Sequence, residues 1–270
     1  MKILIFVNVK KDTSMTFANG LCKIMDAKNV EYDVFTSECD SEKINSEYLL
    51  NINAVIVLGG DGTMLHAIRE VSKKEVPVLG VNIGHLGFLT AIEYNNFENA
   101  MNRIIKGDYF IEDRILLQSV NSKGEYDIAV NDICILSKEQ GKIIGLSVKI
   151  NGRMVEEFKG DGIIISSPTG STGYSLSAGG PIVSPMANCI ILTPICAHSL
   201  TTKPIVLCDC DKVSVQVTND NTGMAIWDGQ STKEVQYLTV EKSVFKARFI
   251  RFKDYNFFDV LSQKFNHNKR

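Results

Sequence analysis

Between Val57 and Leu65 the chain reads VLGGDGTML, two glycines, an aspartate and a third glycine set between an apolar run and an amphipathic one. Glycines at a strand-to-helix junction let backbone amides approach phosphate oxygens, and the free amides of the following helix favour anions. Gly59, Gly60, Gly62 and Thr63 are therefore the candidate phosphate-binding positions. Asp61 is the anomaly, because a carboxylate beside a polyphosphate is repelled by several negative charges. Three roles are open to it: holding a divalent cation that also binds the phosphates, taking a proton from an attacking hydroxyl, or capping its own helix by accepting from the first-turn amides. Neither G-x-x-x-x-G-K-[ST] nor G-x-G-x-x-G is present, so the two best-known phosphate fingerprints are excluded.

A second dense stretch is FKGDGIIISSPTGSTGYSLSAGGPIV, Phe158 to Val183. It reads as a long loop between strands whose hydroxyls and amides suit a sugar or amide-bearing ligand, with Tyr174 able to stack or hydrogen-bond. An exposed Gly/Ser linker is the alternative. VNIGHLGFLT, Val81 to Thr90, adds glycines and Phe88, as a binding wall or as a plain turn. AVNDICIL places Asn131 and Asp132 in a strand-like run, where adjacent side chains face opposite ways and one is directed inward or into a site. Edge-strand or bulge polarity is an equal reading.

The elements that must carry these residues fall into two textures. Up to about residue 108, apolar runs alternate with helix-period segments: KILIFVNV, TFANGLCKIMDAKN, EYDVFT, AVIVLGG, TMLHAIREVSKK, VPVLGVN and NFENAMNRIIKGD. Continuous apolar strands between helices imply a parallel sheet covered on both faces, a Rossmann-like α/β domain with its ligands beyond the carboxyl ends of the strands. From Phe110 onward short strand-like runs follow one another: DRILLQSV, YDIAVNDICIL, IGLSVKING, GIIISS, NCIILTPI, KVSVQVT, MAIWDG and YLTVEKS. They predict a β-rich, sandwich-like second domain over 109–247. The tail FKARFIRFKDYNFFDVLSQKF predicts a strand and a closing helix, so that 248–270 returns to the first domain.

The 270 residues carry 44% apolar side chains and a net charge of −2, enough for real cores and without the basic field that nucleic acid or an anionic membrane requires. The N-terminal apolar run is shorter than a signal-peptide core, and no stretch approaches the roughly 20 apolar residues of a membrane span. Seven cysteines, an odd number with no C-x-x-C spacing, read as reduced thiols of a cytoplasmic protein. Cys208-Asp209-Cys210 lacks further nearby ligands for a metal.

GGDGTM, NIGHLGF, the Asn131-Asp132 pair, KGDGIIISSPTGSTGYSLSAGGPIV, LTPICAHSL and the DGQ at Asp228 to Gln230 together, in this order and over nearly the whole chain, resemble the NAD kinase family. GGDGT alone also occurs in lipid kinases and phosphofructokinase relatives, so a lipid or sugar kinase, or a non-catalytic NAD(P)-binding module, are the alternative readings. The resemblance implies transfer of a phosphoryl group from ATP, in some members polyphosphate, to the 2′-hydroxyl of the adenosine ribose of NAD, with Mg²⁺ or another divalent metal ion. It implies an α/β part, a β-rich part, and a homodimer or homotetramer. Carried over by motif, Asp61 is the general base and Gly62 its neighbour on the nucleotide. His66, Phe88, Asn131, Asp132, Lys142, Lys159, Asp161, Thr172, Gly173, Tyr174, Ser175, Leu176, Ser177 and Gln230 fall at NAD-binding positions. The resemblance assigns no metal ligand. Lys159 stands where many relatives have Arg, giving a point charge in place of a bidentate fork; Asp132 stands where many have Glu, and Ala197 and Lys203 where Pro and Arg are common.

Overall fold

The structure is a computed structural model that describes residues 1–9, 12, 14–36, 47–84, 87–139, 141–199, 201–218 and 222–267. Cys39 and His85 lie outside the described residues. In chain order the elements are β1 (Lys2–Val7), α1 (Thr16–Ala27), β2 (Glu31–Thr36), β3 (Ala54–Leu58), α2 (Asp61–Val71), β4 (Val78–Asn82), β5 (Ile92–Glu93), α3 (Phe97–Ile105), β6 (Phe110–Asn121), β7 (Tyr126–Ala129) and β8 (Asp132–Ser137). There follow β9 (Ile144–Ile150), β10 (Arg153–Gly160), β11 (Gly162–Ser166), α4 (Tyr174–Ser177), β12 (Cys189–Ile195), β13 (Ile205–Cys208), β14 (Val213–Val217), β15 (Gly223–Trp227), β16 (Ser231–Val235), β17 (Tyr237–Arg251) and α5 (Phe257–His267). Two compact units result: Met1–Asp113 with Lys246–Arg270, and Arg114–Phe245.

In the first unit β2, β1, β3 and β4 lie side by side, all parallel, with β5 on the far edge of β4. The end of β17 also pairs parallel with β4, through Phe249 opposite Val78. Strands β3 and β4 are buried along their whole length, which is why their sequences, AVIVL and VLGVN, lack alternation. Helix α2 turns Met64, Leu65, Ala67, Ile68 and Val71 inward, and α3 does the same with Phe97, Ala100, Met101 and Ile104. One core joins them to Ile250 and Phe252 of the returning tail.

The second unit holds two layers. One contains the antiparallel run β10-β9-β14-β17 together with β6 and β7, and the other is the antiparallel six-strand order β13-β12-β11-β8-β15-β16. Their facing side chains form a single cluster that includes Leu146, Val148, Ile163, Ile165, Leu192, Val215, Leu238 and Trp227. Trp227 is 2% exposed, and its indole Nε1 donates to Ser119 Oγ at 2.8 Å, so burial leaves no orphan donor.

Three expectations from the sequence are corrected here. The 158–183 stretch is not one long loop: it is the end of β10, then β11 as read from GIIISS, a 3-10 turn at Thr169–Thr172 and helix α4, with a longer run of irregular chain only from 178 on, and Ser166, Ser167, Thr169, Ser171 and Ser175 are buried. Ser166, Ser167 and Ser171 bond backbone groups and Ser175 bonds Thr193, which lets a Gly/Ser-rich segment fold inward, while Thr169 Oγ1 is buried without a hydrogen-bond partner. The Asn131-Asp132 pair does not lie within one strand, because the run breaks after Ala129 and resumes at Asp132 in the other sheet. Strands β10, β13 and β16 were not among the expected strands: RMVEEFKG and STKEV expose most of their side chains, whereas IVLC is apolar but only four residues long.

Candidate functional site

In the first unit, β3 runs out at Leu58 and α2 begins at Asp61, with Gly60 as its N-cap. The Gly60 carbonyl accepts from the amides of Thr63 and Met64, each at 3.0 Å. A side chain on Gly59 would strike Thr63 Cβ at 2.7 Å, whereas Gly62 is exposed and has open space around it. Thr63 is buried and its hydroxyl accepts from Asn8 Nδ2 at 2.9 Å, so it braces the loop from beneath instead of offering its oxygen to solvent.

Asp61 is the first residue of α2, after the Gly60 N-cap, and its side-chain hydrogen bonds go to another segment and not to first-turn amides, which corrects the third role considered for it. Its carboxylate reaches the 87–89 segment, accepting from Phe88 N at Oδ2 (2.9 Å) and from Leu89 N at Oδ1 (3.0 Å). One amide on each oxygen fixes the plane of the group and leaves further lone pairs for a partner. This approach demands glycine at position 87, where a methyl group would overlap Asp61 Oδ1 and lie 2.5 Å from Cγ. The segment is held in turn by Thr90 Oγ1, which accepts from Gly87 N at 2.9 Å, and by Arg251, whose Nη1 donates to the Leu89 carbonyl at 3.2 Å. Arg251 is fully buried, faces Glu112 at 3.4 Å and stacks on Tyr255, with its guanidinium carbon 4.1 Å from the ring centroid. The returning tail thus orients the Asp61 loop. Phe88 packs near Phe257, with Lys264 Nζ over its ring at 5.5 Å. His66 sets its ring edge against Phe6, centroids 5.4 Å apart.

In the second unit a cavity of about 360 Å³ is lined by Asn131, Asp132, Cys134, Leu136, Tyr174, Ile226, Asp228 and Gly229. Its floor is the break between β7 and β8. The Asp228 carboxylate accepts from the amides of Val130 (2.9 Å to Oδ2), Asn131 (2.7 Å to Oδ1) and Asp132 (3.3 Å to Oδ1). The carbonyls of the same corner go to serines: Ser167 Oγ donates to Val130 O at 2.6 Å, and Ser166 Oγ to Asn131 O at 3.2 Å. A methyl on Gly170 would overlap the Asn131 carbonyl oxygen, so this wall is glycine for reasons of close approach. Asp228 and Gly229 both sit at positive φ, 52° and 67°, in the turn that joins β15 to β16. A D-G pair there is the usual chemistry of a tight hairpin.

These contacts consume the backbone and leave side chains for a ligand. Asn131 Oδ1 is buried with no hydrogen-bond partner. Asp132 is 5% exposed, and burial, reinforced by the nearby Asp228 charge, pushes its carboxyl up to about 6. Cys134 Sγ donates to Asp132 Oδ1 at 3.4 Å, and burial above all pushes that thiol up. Tyr174 is 44% exposed at the cavity edge; partial burial and the neighbouring Cys134, Asp161, Cys196 and Asp132 raise its phenol. Asp161 accepts from the Cys196 thiol, which it pushes up. The Gly173 position lies 3.6 Å, measured from where a Cβ would be, from Asn131 Nδ2 and 3.7 Å from Asp132 Oδ2.

Other sequence-predicted residues stand apart from the cavity wall. Ser175 Oγ is buried against Thr193 Oγ1 at 2.9 Å and pins α4 to β12. Lys142 is exposed and paired with Glu139. Lys159 is exposed on β10, and Thr172, Leu176, Ser177 and Gln230 lie at the surface or half-buried outside the lining. Gly87, Arg251, Ser166, Ser167, Gly170 and Asp228 were missed as site residues. DGQ was visible as a motif, but only contacts distant in sequence reveal that its aspartate holds the Asn131-Asp132 corner. A larger groove of about 430 Å³ involving α3 and α5 contains neither Asp61 nor residues 87–89. Among the described residues no group of three or more His, Cys, Asp and Glu side chains is arranged to hold a metal.

A carboxylate held among glycines at a strand end, and a mostly apolar cavity carrying Asn131, Asp132 and Tyr174, are the features of a nucleotide phosphotransferase. The family comparison is more specific: the model of the ATP-NAD kinase N-terminal domain matches residues 5–109, and that of the ATP-NAD kinase C-terminal domain residues 130–252. The chain belongs to the NAD kinase family. It is 35% identical over 280 residues to an NAD kinase of Lachnoclostridium phytofermentans, covering 98% of each chain, and 36% identical over 273 residues to one of Clostridium botulinum, covering 98% of this chain and 96% of the relative. The crystal structure of an NAD kinase from Archaeoglobus fulgidus in complex with ATP superposes with a TM-score of 0.83, at 28% identity and 98% coverage of both chains.

Proposed function

We propose that this enzyme transfers the terminal phosphoryl group of ATP to the 2′-hydroxyl of the adenosine ribose of NAD, giving NADP, with Asp61 as general base. The observation that carries the reading is the fixed carboxylate of Asp61, oriented by the Phe88 and Leu89 amides beside a glycine-rich helix start. As the hydroxyl attacks the terminal phosphorus, Asp61 accepts or directs its proton, while ADP leaves. Phosphoryl transfer asks little covalent help of a protein, so positioning and electrostatics supply most of the acceleration. Gly59, Gly60 and Gly62 present the backbone that meets the phosphates.

The second unit's cavity suits the adenosine end of the acceptor. Asn131 and Asp132 supply an amide oxygen and a carboxylate for its amino and hydroxyl donors, and Tyr174 and Ile226 supply apolar surface. Phe88, His66, Lys142, Lys159, Asp161, Thr172, Gly173, Ser175, Leu176, Ser177 and Gln230 belong to the same proposal as ligand-side residues, with Ser175 and Thr63 acting through the backbone they pin. Mg²⁺ fits as part of the donor, since magnesium is commonly held by one or two carboxylates plus nucleotide phosphates, and no all-protein cage is present among the described residues. We assign the enzyme to the cytoplasm as a homodimer or homotetramer, which light scattering tests directly.

The deciding assay couples product to an NADP-specific dehydrogenase after incubation with NAD, ATP and Mg²⁺, with polyphosphate as an alternative donor. Asp61→Asn is expected to lower kcat by about 10² to 10⁴ while the Kd for NAD changes little. Near-normal kcat in that variant would remove the base assignment. Absence of NADP formation by the parent enzyme would remove the reaction.

A further inference from the structure

Cys208 closes β13 and Cys210 follows two residues later in a turn that the fold clamps on every side. The turn is closed by Asp211 N donating to the Cys208 carbonyl at 3.1 Å. Asp211 then reaches back, accepting from Cys208 N at Oδ2 (3.0 Å) and from Asn151 Nδ2 at Oδ1 (2.7 Å). Asn151 Oδ1 accepts from Lys212 N at 2.9 Å, and Asp209 is ion-paired with Lys242. The result is a rigid surface loop with two thiols on the same side. Cys210 Sγ donates to Cys208 Sγ at 3.0 Å, and both side chains are exposed. A disulfide needs the sulfurs at about 2.0 Å, so closing it requires an approach of only about 1 Å.

From this juxtaposition we propose that Cys208 and Cys210 form a reversible dithiol/disulfide site whose co-substrates are a hydroperoxide as oxidant and a small dithiol as reductant. One thiolate attacks the peroxide's terminal oxygen: an S–O bond forms, the O–O bond breaks, and the departing alkoxide or hydroxide takes a proton. The second sulfur attacks the resulting sulfenic acid; an S–S bond forms, the S–O bond breaks and water leaves. The two thiols lose two electrons and two protons, and the peroxide becomes an alcohol or water plus one further water. A dithiol returns both electrons and both protons by exchange. The ring spans a single intervening residue, so it gains almost no loop-closure entropy, and exposed, strained disulfides of this sort are the readily reduced ones. Cys208 Sγ also donates to Asp209 Oδ1 at 3.6 Å, but a second thiol stands beside it; of the other described cysteines Cys134 and Cys189 are buried, Cys22 is half-buried, and Cys196 is exposed with Asp161 as its partner in place of a thiol. Cys189 stands opposite Cys208 on β12 and is the competing partner.

The test uses the reduced full-length enzyme, exposed to hydrogen peroxide without oxygen, alkylated and mapped by peptide mass spectrometry. Both thiols of the Cys208–Cys210 peptide are expected to disappear before that of Cys196, with the peptide lighter by two hydrogens and restored by dithiothreitol. Cys189→Ser should leave this unchanged, while Cys208→Ser and Cys210→Ser should each abolish the intrapeptide bond and retain kinase activity. Continued alkylation of both thiols after Cys196 has been oxidised overturns the proposal. So does a disulfide joining Cys208 to Cys189 or to a second chain.

Discussion

Asp132 sits in the ligand cavity at a cost to the folded chain, and Asp132→Asn measures that cost. Its carboxyl titrates near 6 in the folded state against an ordinary 3.8, because burial and the Asp228 charge disfavour ionisation. Below pH 4 both states hold the proton and the residue is nearly neutral to stability. Between pH 4 and 6 the unfolded chain has released its proton while the folded chain retains it, so stability falls as pH rises and levels off above about 7. A shift of about two units, at roughly 1.4 kcal/mol each, amounts to about 3 kcal/mol at pH 8 and about 0.5 kcal/mol at pH 4. Asparagine keeps the shape and an acceptor for Cys134 but has no charge to bury. The variant should therefore gain about 2 to 3 kcal/mol over the parent between pH 4 and pH 8, read as the change in their difference in denaturant midpoint. Its KM for NAD should rise about tenfold or more, as expected when a hydrogen bond to a charged acceptor is lost. An equal stability difference at both pH values, or a loss that grows with pH, refutes the reasoning.

Gly87→Ala should lower kcat by about 10² or more, approaching Asp61→Asn, since the new methyl displaces the base itself; unchanged kcat in the coupled assay would show that the Asp61 contact with residues 88 and 89 is dispensable. Asp228→Asn leaves one acceptor oxygen for the three amides of residues 130–132 and should cost about 2 to 4 kcal/mol, with faster hydrogen exchange at those amides as its signature. Arg251→Met removes the buried cation beside Glu112 and should destabilise by about 3 to 5 kcal/mol, part of which Glu112→Gln in the same chain restores; full stability in the single variant would contradict the buried ion pair.

Apolar patterning alone was enough to expect an α/β part followed by a β-rich part. Continuous apolar runs and period-3.6 patterns are local, so β3 and β4 could be read from the first and α2 and α3 from the second, and most strands of the second unit from short apolar runs bounded by turn residues. The glycine-aspartate string at the start of α2 was legible for the same reason, because a strand-to-helix junction is local too. Polar edge strands such as β16 escaped, since STKEV exposes three residues in a row and buries only Val235, too little for an apolar pattern. The partner of each polar side chain came from the folded chain alone. Asp61 turns to amides 27 and 28 residues away, and Asp228 to amides 96 to 98 residues away. Ser175 and Thr63, which looked available to a ligand, spend their hydroxyls on Thr193 and Asn8. Hydrogen-bond partners are chosen by proximity after collapse, and a buried polar group must take whichever partner the fold brings within reach. That choice has no periodicity, which is why no pattern in the chain announced it.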